Sequence, residues 1–280
     1  MRRSSRRERS LSAIDWMDRK MLKALSLLSS LVYLLATPAL ADPAIDALVA
    51  AYPDHLASHD GKDLIWKDGT RMPISDGRKR SFQQMLDDPD IASQFAIPYP
   101  LGKDLKPPAV NEDPGRIRYE PLFRKMYGDC RKGEVAKRLT AVPWMPKRGG
   151  RPVQATTVNG VNARLADVVR DLETLPAGMT QYLVPSAGTY NCRTIVNTTR
   201  LSVHAFAAAL DINTKFTDYW EWSKKKDGGV VWRNRIPVAI GEIFERHGFI
   251  WGAKWYHVDS MHFEYRPELI ALARKGWPAR

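Results

Sequence analysis

From residue 135 onward the chain alternates strand-like and helix-like stretches without a repeating strand–helix–strand rhythm, which excludes a doubly wound parallel sheet. Two strand-like runs, one ending near Met145 and one starting near Val153, flank a Lys147-Arg148-Gly149-Gly150 turn. Val161, Leu165, Val168, Val169 and Leu172 recur at helical spacing and predict an amphipathic helix. Residues 181–184 read as a short strand. A second helix is expected from about Pro237 to His247, with proline in its first turn and Gly248 as its stop. Residues 249–251 and 261–265 look like closing strands. The fold class that follows is α+β, a small, mainly antiparallel sheet with flanking helices.

Residues 44–95 mix short helical patterns with one hairpin signal, Leu64-Ile65-Trp66 and Arg71-Met72-Pro73-Ile74 around Asp68-Gly69. Pro98, Pro100, Pro107, Pro108 and Pro114 then punctuate a polar stretch that reads as a linker or a wrapped extended arm. The expected organisation is an N-terminal extension over 42–110 and a main domain over 111–280. Only residues 24–36 are apolar enough to enter a membrane, and about 13 residues cannot span a ~30 Å hydrocarbon core. Arg19, Lys20 and Lys23 precede this run, and Ala39-Leu40-Ala41 follow it with the small residues of a cleavage site. Residues 1–41 therefore read as a secretory signal removed before Asp42, with Met21 an alternative start. Arg6-Arg7 hints at a twin-arginine signal, but Glu8-Arg9-Ser10 continues that motif poorly, so ordinary secretion is expected. The expected location is exported, periplasmic or cell-wall associated, without stable membrane insertion after cleavage.

A composition of 44% hydrophobic and 26% charged residues excludes a disordered tail. The formal net charge of +12 falls once residues 1–41 are removed, to 35 Lys/Arg against 28 Asp/Glu, or +7. The basic residues are scattered, as in Arg78-Lys79-Arg80 and Lys224-Lys225-Lys226, and form no nucleic-acid motif, so no nucleic-acid partner is expected. Mild attraction to an anionic polymer such as a cell wall is compatible with this balance. Cys130 and Cys192 are the only cysteines, and in an oxidising compartment an isolated pair is expected to form a disulfide. Nothing in the sequence sets an oligomeric state.

Two clusters carry chemistry. In the segment 202–213, His204 and Asp211 lie seven residues apart in an apolar, small-residue run. Along a helix that spacing is ~10 Å, too far to share one ion. In a straight strand it would point the two side chains to opposite faces. They converge only if the chain bends between them, and Ala207 to Ala209 would allow the closeness; a core histidine and a capping aspartate explain the pair equally well. In the second cluster, residues 255–265, His262 has Asp259 three before it and Glu264 two after it. Zinc accepts histidine nitrogen and carboxylate oxygen, and a catalytic site keeps three protein ligands and an open position. His204, Asp211 and His262 would supply that set.

The pattern Ser202-x-His204-x6-Asp211 followed by Asp259-x-x-His262 resembles the zinc D-Ala-D-Ala metallopeptidases, within the superfamily of lysostaphin, those peptidases and sonic hedgehog. Gly248-Phe249-Ile250-Trp251-Gly252 and Met261-His262-Phe263-Glu264-Tyr265 are similar to the branch of vancomycin-resistance D,D-carboxypeptidases and phage L-alanyl-D-glutamate endolysins. The resemblance covers 175–270 and, more loosely, 115–175. It implies one zinc ion per chain, held by His204, Asp211 and His262 in a groove on the sheet, with Asp259 as general base. Zinc would acidify water and polarise the scissile carbonyl. Arg193 and His257 are the candidates for steadying the oxyanion, and Glu264 for orienting a neighbouring side chain. The implied function is an exported peptidase acting on peptidoglycan stem peptides or cross-bridges, of D,D-carboxypeptidase or L,D-endopeptidase type. The alternative is a catalytically silent, zinc-containing cell-wall-binding protein. One departure stands out: this chain has Ala207 where the family has glycine, a change that is tolerable at negative φ and harmful at positive φ. Of Trp220, Trp222, Trp232, Trp251 and Trp255, most are expected in the core, with one or two walling a groove.

Overall fold

A computed structural model describes residues 42–277 apart from 224 and 226–228. The expected signal peptide and the Lys224-Lys225-Lys226 run therefore lie wholly or mostly outside the described residues. Among those residues, no helix is long and apolar enough to cross a membrane.

The architecture is α+β, with seven helices and three small antiparallel sheets among the described residues. Helix α1 (Pro43–Ala51) starts at Asp42, whose carboxylate accepts the Ala44 and Ile45 N–H groups. Strands β1 (Leu56–His59), β2 (Asp63–Trp66) and β3 (Arg71–Pro73) follow as an antiparallel meander, with β2 and β3 forming the expected hairpin. Helices α2 (Phe82–Asp87) and α3 (Glu120–Tyr127) flank the Pro-rich stretch. That stretch is a wrapped arm. Tyr99 donates to Glu245 at 2.6 Å, and Lys254 Nζ donates to the Pro100 and Gly102 carbonyls at 2.5 and 2.9 Å. Residues of the 42–110 region, among them Ile45, Leu48, Tyr52, Leu64 and Phe95, share one continuous core with the rest of the chain.

Strands β4 (Leu139–Val142) and β5 (Val153–Thr156) pair antiparallel, and their connection contains a 3₁₀ turn at Pro146–Arg148. Helix α4 (Val161–Leu172) buries Val161, Leu165, Val168, Val169 and Leu172, the face its spacing predicts. Residues 181–184 do not form the expected strand. They belong to helix α5 (Thr180–Leu183) and its extended exit at Val184. Asn213 Nδ2 donates to the Gln181 and Val184 carbonyls at 2.7 and 2.9 Å, so these acceptors are satisfied without a ladder partner.

The third sheet orders β6 (Ala209–Asp211), β8 (His262–Tyr265) and β7 (Phe249–Trp251), all antiparallel, with β8 in the centre. One face is apolar: Phe263 stacks on Phe244 of helix α6 (Val238–Arg246) with ring centroids 3.7 Å apart, and on Trp251 at 5.7 Å. A side chain at Gly241 would meet the Trp251 ring at 2.3 Å, so glycine lets α6 lie against β7. The other face of β8 carries His262 and Glu264. Helix α7 (Pro267–Lys275) closes the chain and packs on α1, with Tyr52 donating to Glu268 at 2.7 Å.

Cys130 and Cys192 form the expected disulfide, closing a loop of 62 residues between the end of α3 and the segment carrying Arg193. Loop closure of this size contributes roughly 4 kcal/mol in the chain-entropy description. The Cys130→Ser/Cys192→Ser double variant should therefore lose about 2–4 kcal/mol in denaturant unfolding. A change below about 1 kcal/mol would show that the cross-link does not constrain the unfolded chain.

Candidate metal centre and its groove

Three segments distant in sequence build one cluster. The 3₁₀ turn Val203–Phe206 carries His204, and the Ser202 hydroxyl accepts the His204 N–H at its start. Phe206 packs on Phe123 and Tyr127 of α3, with centroids 5.7 and 6.0 Å away, and this fixes the turn. Ala207 then takes φ 53° and ψ 29°, a left-handed residue that turns the chain into β6. This is the bend that the seven-residue spacing requires. At the end of β6, Asp211 stands directly opposite His262 in the β6–β8 register, which puts both side chains on one face.

His204 Nε2 lies 3.2 Å from His262 Nδ1 and 3.3 Å from Asp211 Oδ2, and His262 Nδ1 lies 3.0 Å from Asp211 Oδ1. Ligands at ~2.0–2.1 Å from a tetrahedral ion are about 3.3 Å apart, so the three separations match edges of a zinc coordination tetrahedron. The tautomers suit the task as well. His204 Nδ1 lies 2.7 Å from the Thr189 carbonyl, which can only accept, so Nδ1 carries the proton and Nε2 is left with its lone pair. His262 Nε2 is buried without a hydrogen bond and faces Glu264 Oε2 at 3.7 Å. Glu264 is gripped by Arg118 at 2.8, 2.9 and 2.5 Å, with Arg266 at 3.4 Å. Burial alone would lower the His262 pKa, but Asp211 and Glu264 outweigh it and raise it to about 9. Burial would raise Asp211, yet the two histidines hold it far below the carboxylate range. A cation between these groups would replace the protons they now share.

Asp259 enters from the loop between β7 and β8. Its N–H donates to the Gly252 carbonyl at 3.0 Å, and a side chain at Gly252 would meet the Asp259 carbonyl at 2.4 Å, so glycine permits the crossing. Asp259 Oδ1 is buried and has no hydrogen-bond partner. Burial pushes this carboxyl up to about 6, with Asp211 adding to the rise and His262 opposing it.

These residues open onto a groove of about 350 Å³. Trp220, Trp222 and Trp255 line it, one more than expected; Trp251 lies in the core, and Trp232 is half-buried with its indole N–H on the Ala253 carbonyl. Arg193 lines the groove as an exposed side chain whose backbone carbonyl accepts the Ser202 N–H at 3.0 Å. His257 lines it too, with Nδ1 on Asp113 Oδ2 at 2.6 Å and its ring against Trp220. Sequence reasoning missed Asp113, Arg116, Arg118, Tyr219 and Arg200. Asp113 is wholly buried and pairs with both His257 and Arg116. No motif or spacing marks these residues, because each meets the site from a loop over 50 residues away or from an irregular segment. His59 and His247 lie elsewhere, paired with Asp46 and Asp171.

Residues 196–265 match a family model described as D-alanyl-D-alanine carboxypeptidase. The matched span contains Ser202, His204, Asp211, Asp259 and His262, and it supports the zinc D-Ala-D-Ala metallopeptidase family and a peptidase of D-Ala-D-Ala carboxypeptidase type. No curated protein and no solved structure matches the chain.

Ala207 occupies the positive φ that glycine would favour. The left-handed conformation costs an alanine ~1–2 kcal/mol. Replacing it by glycine would remove that strain, but would lose a buried methyl worth ~0.8 kcal/mol and add unfolded-state freedom worth ~0.4–1 kcal/mol. Ala207→Gly should therefore change stability by less than ~1 kcal/mol, whereas Ala209→Gly, in β6 with ordinary backbone, should cost more than that. Equal losses in denaturant unfolding would show that residue 207 carries no strain.

Proposed function

With this family match as premise, we propose that the protein is an exported zinc peptidase that hydrolyses peptide bonds in peptidoglycan stem peptides or cross-bridges. The observation that carries the reading is the convergence of His204 Nε2, Asp211 and His262 Nδ1 on one groove with the carboxyl of Asp259, whose Oδ1 is buried without a hydrogen-bond partner. The Cys130–Cys192 disulfide supports an oxidising compartment.

His204, Asp211 and His262 would hold one zinc ion. Bound there, zinc supplies a Lewis acid that polarises a carbonyl and makes water nucleophilic near neutral pH. The remaining work belongs to the chain. Thr189 fixes the His204 tautomer, and Glu264, clamped by Arg118 and Arg266, stands behind the His262 ring. Asp259, with its carboxyl raised toward neutrality by burial, takes a proton from the attacking water and returns it to the leaving amine. Arg193 and His257 line the groove and would donate to the developing oxyanion. Asp113 holds His257 by its Nδ1, which leaves Nε2 turned to other partners. Against the alternative of a silent cell-wall-binding protein stands Asp259, since a purely structural zinc site gains nothing from a carboxyl oxygen buried without a partner.

Metal analysis of the purified protein should find about one zinc per chain, and His262→Ala should lose it. Full activity in metal-free protein would overturn the zinc assignment. Purified peptidoglycan digested with the protein, its fragments identified by mass spectrometry, tests the activity itself. In that assay Asp259→Ala should keep its zinc and its fold while the rate falls ~10²–10⁴-fold. Near-normal turnover by the zinc-loaded variant would overturn Asp259 as the general base.

A further inference from the structure

A second groove, of about 290 Å³, adjoins the metal groove, and Arg116, Arg118, Ile195 and Arg200 line both. Three guanidinium groups thus stand on one shared wall, yet their pairing is unequal. Arg118 closes its fork on Glu264, and Arg116 donates to Asp113 at 2.7 Å. Arg200 makes only a looser ion pair, with Asp87. Its Nε is buried without a hydrogen bond, 3.4 Å from an Asp87 carboxylate that is half exposed, and its Nη1 reaches only the Leu86 carbonyl at 3.4 Å.

Burial lowers the proton affinity of Arg200, and the positive charges of Arg116 and Arg118 lower it further against the pull of Asp87. The other carboxylates of the second groove are already engaged. Asp88 binds Arg78 at 2.7 Å, while Glu120 binds Arg124 at 2.7 Å and accepts the Leu201 N–H at 2.9 Å. With Arg116 and Arg118 paired, Arg200 carries the least compensated positive charge of this concave wall, where field lines focus. Guanidinium planes match carboxylates bidentately, and a partly buried guanidinium with only a loose partner gains from such a ligand.

We propose that Arg200, flanked by Arg116 and Arg118, binds a free carboxylate of the substrate at a position away from the bond cleaved at the metal centre, so that the preferred substrates are acidic peptides. This rests on the peptidase reading above. It goes further by assigning a specificity-determining residue outside the metal set and by naming the chemistry that residue selects. The carboxylate can belong to an acidic side branch or to the peptide's C-terminus, and amidating each in turn separates the two.

The test uses the zinc-loaded protein and three synthetic stem peptides: one with both carboxylates free, one amidated at the branch, one amidated at the C-terminus. Amidating the recognised carboxylate should lower kcat/KM roughly tenfold or more, mainly through KM, as expected for losing a charged hydrogen bond. In Arg200→Gln that penalty should shrink to about twofold or less, and in Arg200→Lys part of it should remain. A purely structural role for Arg200 would lower all three peptides together and leave the penalty intact, which overturns the proposal. A wild type indifferent to both amidations overturns it too. If no peptide is cleaved, the peptidase reading fails separately, and calorimetric binding of the same peptides decides the subsite. Carboxylate-dependent binding lost in Arg200→Gln sustains it, and equal binding of all three ends it.

Discussion

Phe263 occupies the middle of β8, and its ring is held between Phe244 at 3.7 Å and Trp251 at 5.7 Å. Side chains alternate along a strand, so fixing Phe263 on the helix-facing side fixes His262 and Glu264 on the other. A slip of one residue would drive a histidine and a carboxylate into the aromatic layer and turn Phe263 toward the groove. Burying a phenylalanine is worth about 1.5–3 kcal/mol and burying an unpaired charge costs several, so the register is strongly set. The pairing of Asp211 with His262 follows from that register, and His204 joins them because Ala207 turns the chain into β6. The candidate metal centre is thus positioned by apolar packing on the opposite face of its own sheet.

Behind the centre runs a buried chain of charges. Arg118 grips Glu264, Arg266 bridges Glu264 and Glu268, and Tyr52 of α1 donates to Glu268. Glu264 and Arg266 are wholly buried and each depends on its paired charge, although Arg266 Nη2 has no hydrogen-bond partner of its own. Two carboxylates balance two guanidinium groups here, and the Gly115 carbonyl accepts a further Arg266 N–H at 2.9 Å. Glu264, between the two guanidinium groups, faces the back of the His262 ring at 3.7 Å. The N-terminal region is therefore coupled to the site through α1 and the Pro-rich arm, whose Tyr99 also accepts the Trp251 N–H at 2.9 Å.

The groove is electrostatically divided. Its floor carries Asp211 and Asp259, where a cation fits, and its neighbouring wall carries Arg116, Arg118 and Arg200. A peptide whose reacting carbonyl lies at the floor meets positive charge along its flank and aromatic rings at the rim, including Trp222, which is 63% exposed. That division comes from separate parts of the chain, since the floor is built by β6 and β8 and the wall by residues 113–118 and 195–201.

Features that depend on local pattern were legible in the residues alone. Helix α4, the β2–β3 hairpin, the α6 stop at Gly248 and the strands at 249–251 and 262–265 follow from apolar periodicity and turn residues. The two spaced motifs marked His204, Asp211, Asp259 and His262, because their chemistry is unusual in apolar runs. The short segment at 181–184 misled, since a few apolar residues are compatible with helix or strand until a partner such as Asn213 claims their carbonyls. The folded arrangement alone sets residue 207 at positive φ, Asp113 against His257, and Arg200, its Nε unbonded, on a groove wall shared with Arg116 and Arg118. Those facts depend on contacts between segments far apart along the chain, and a charged residue in a loop carries no periodicity that says which partner it will meet.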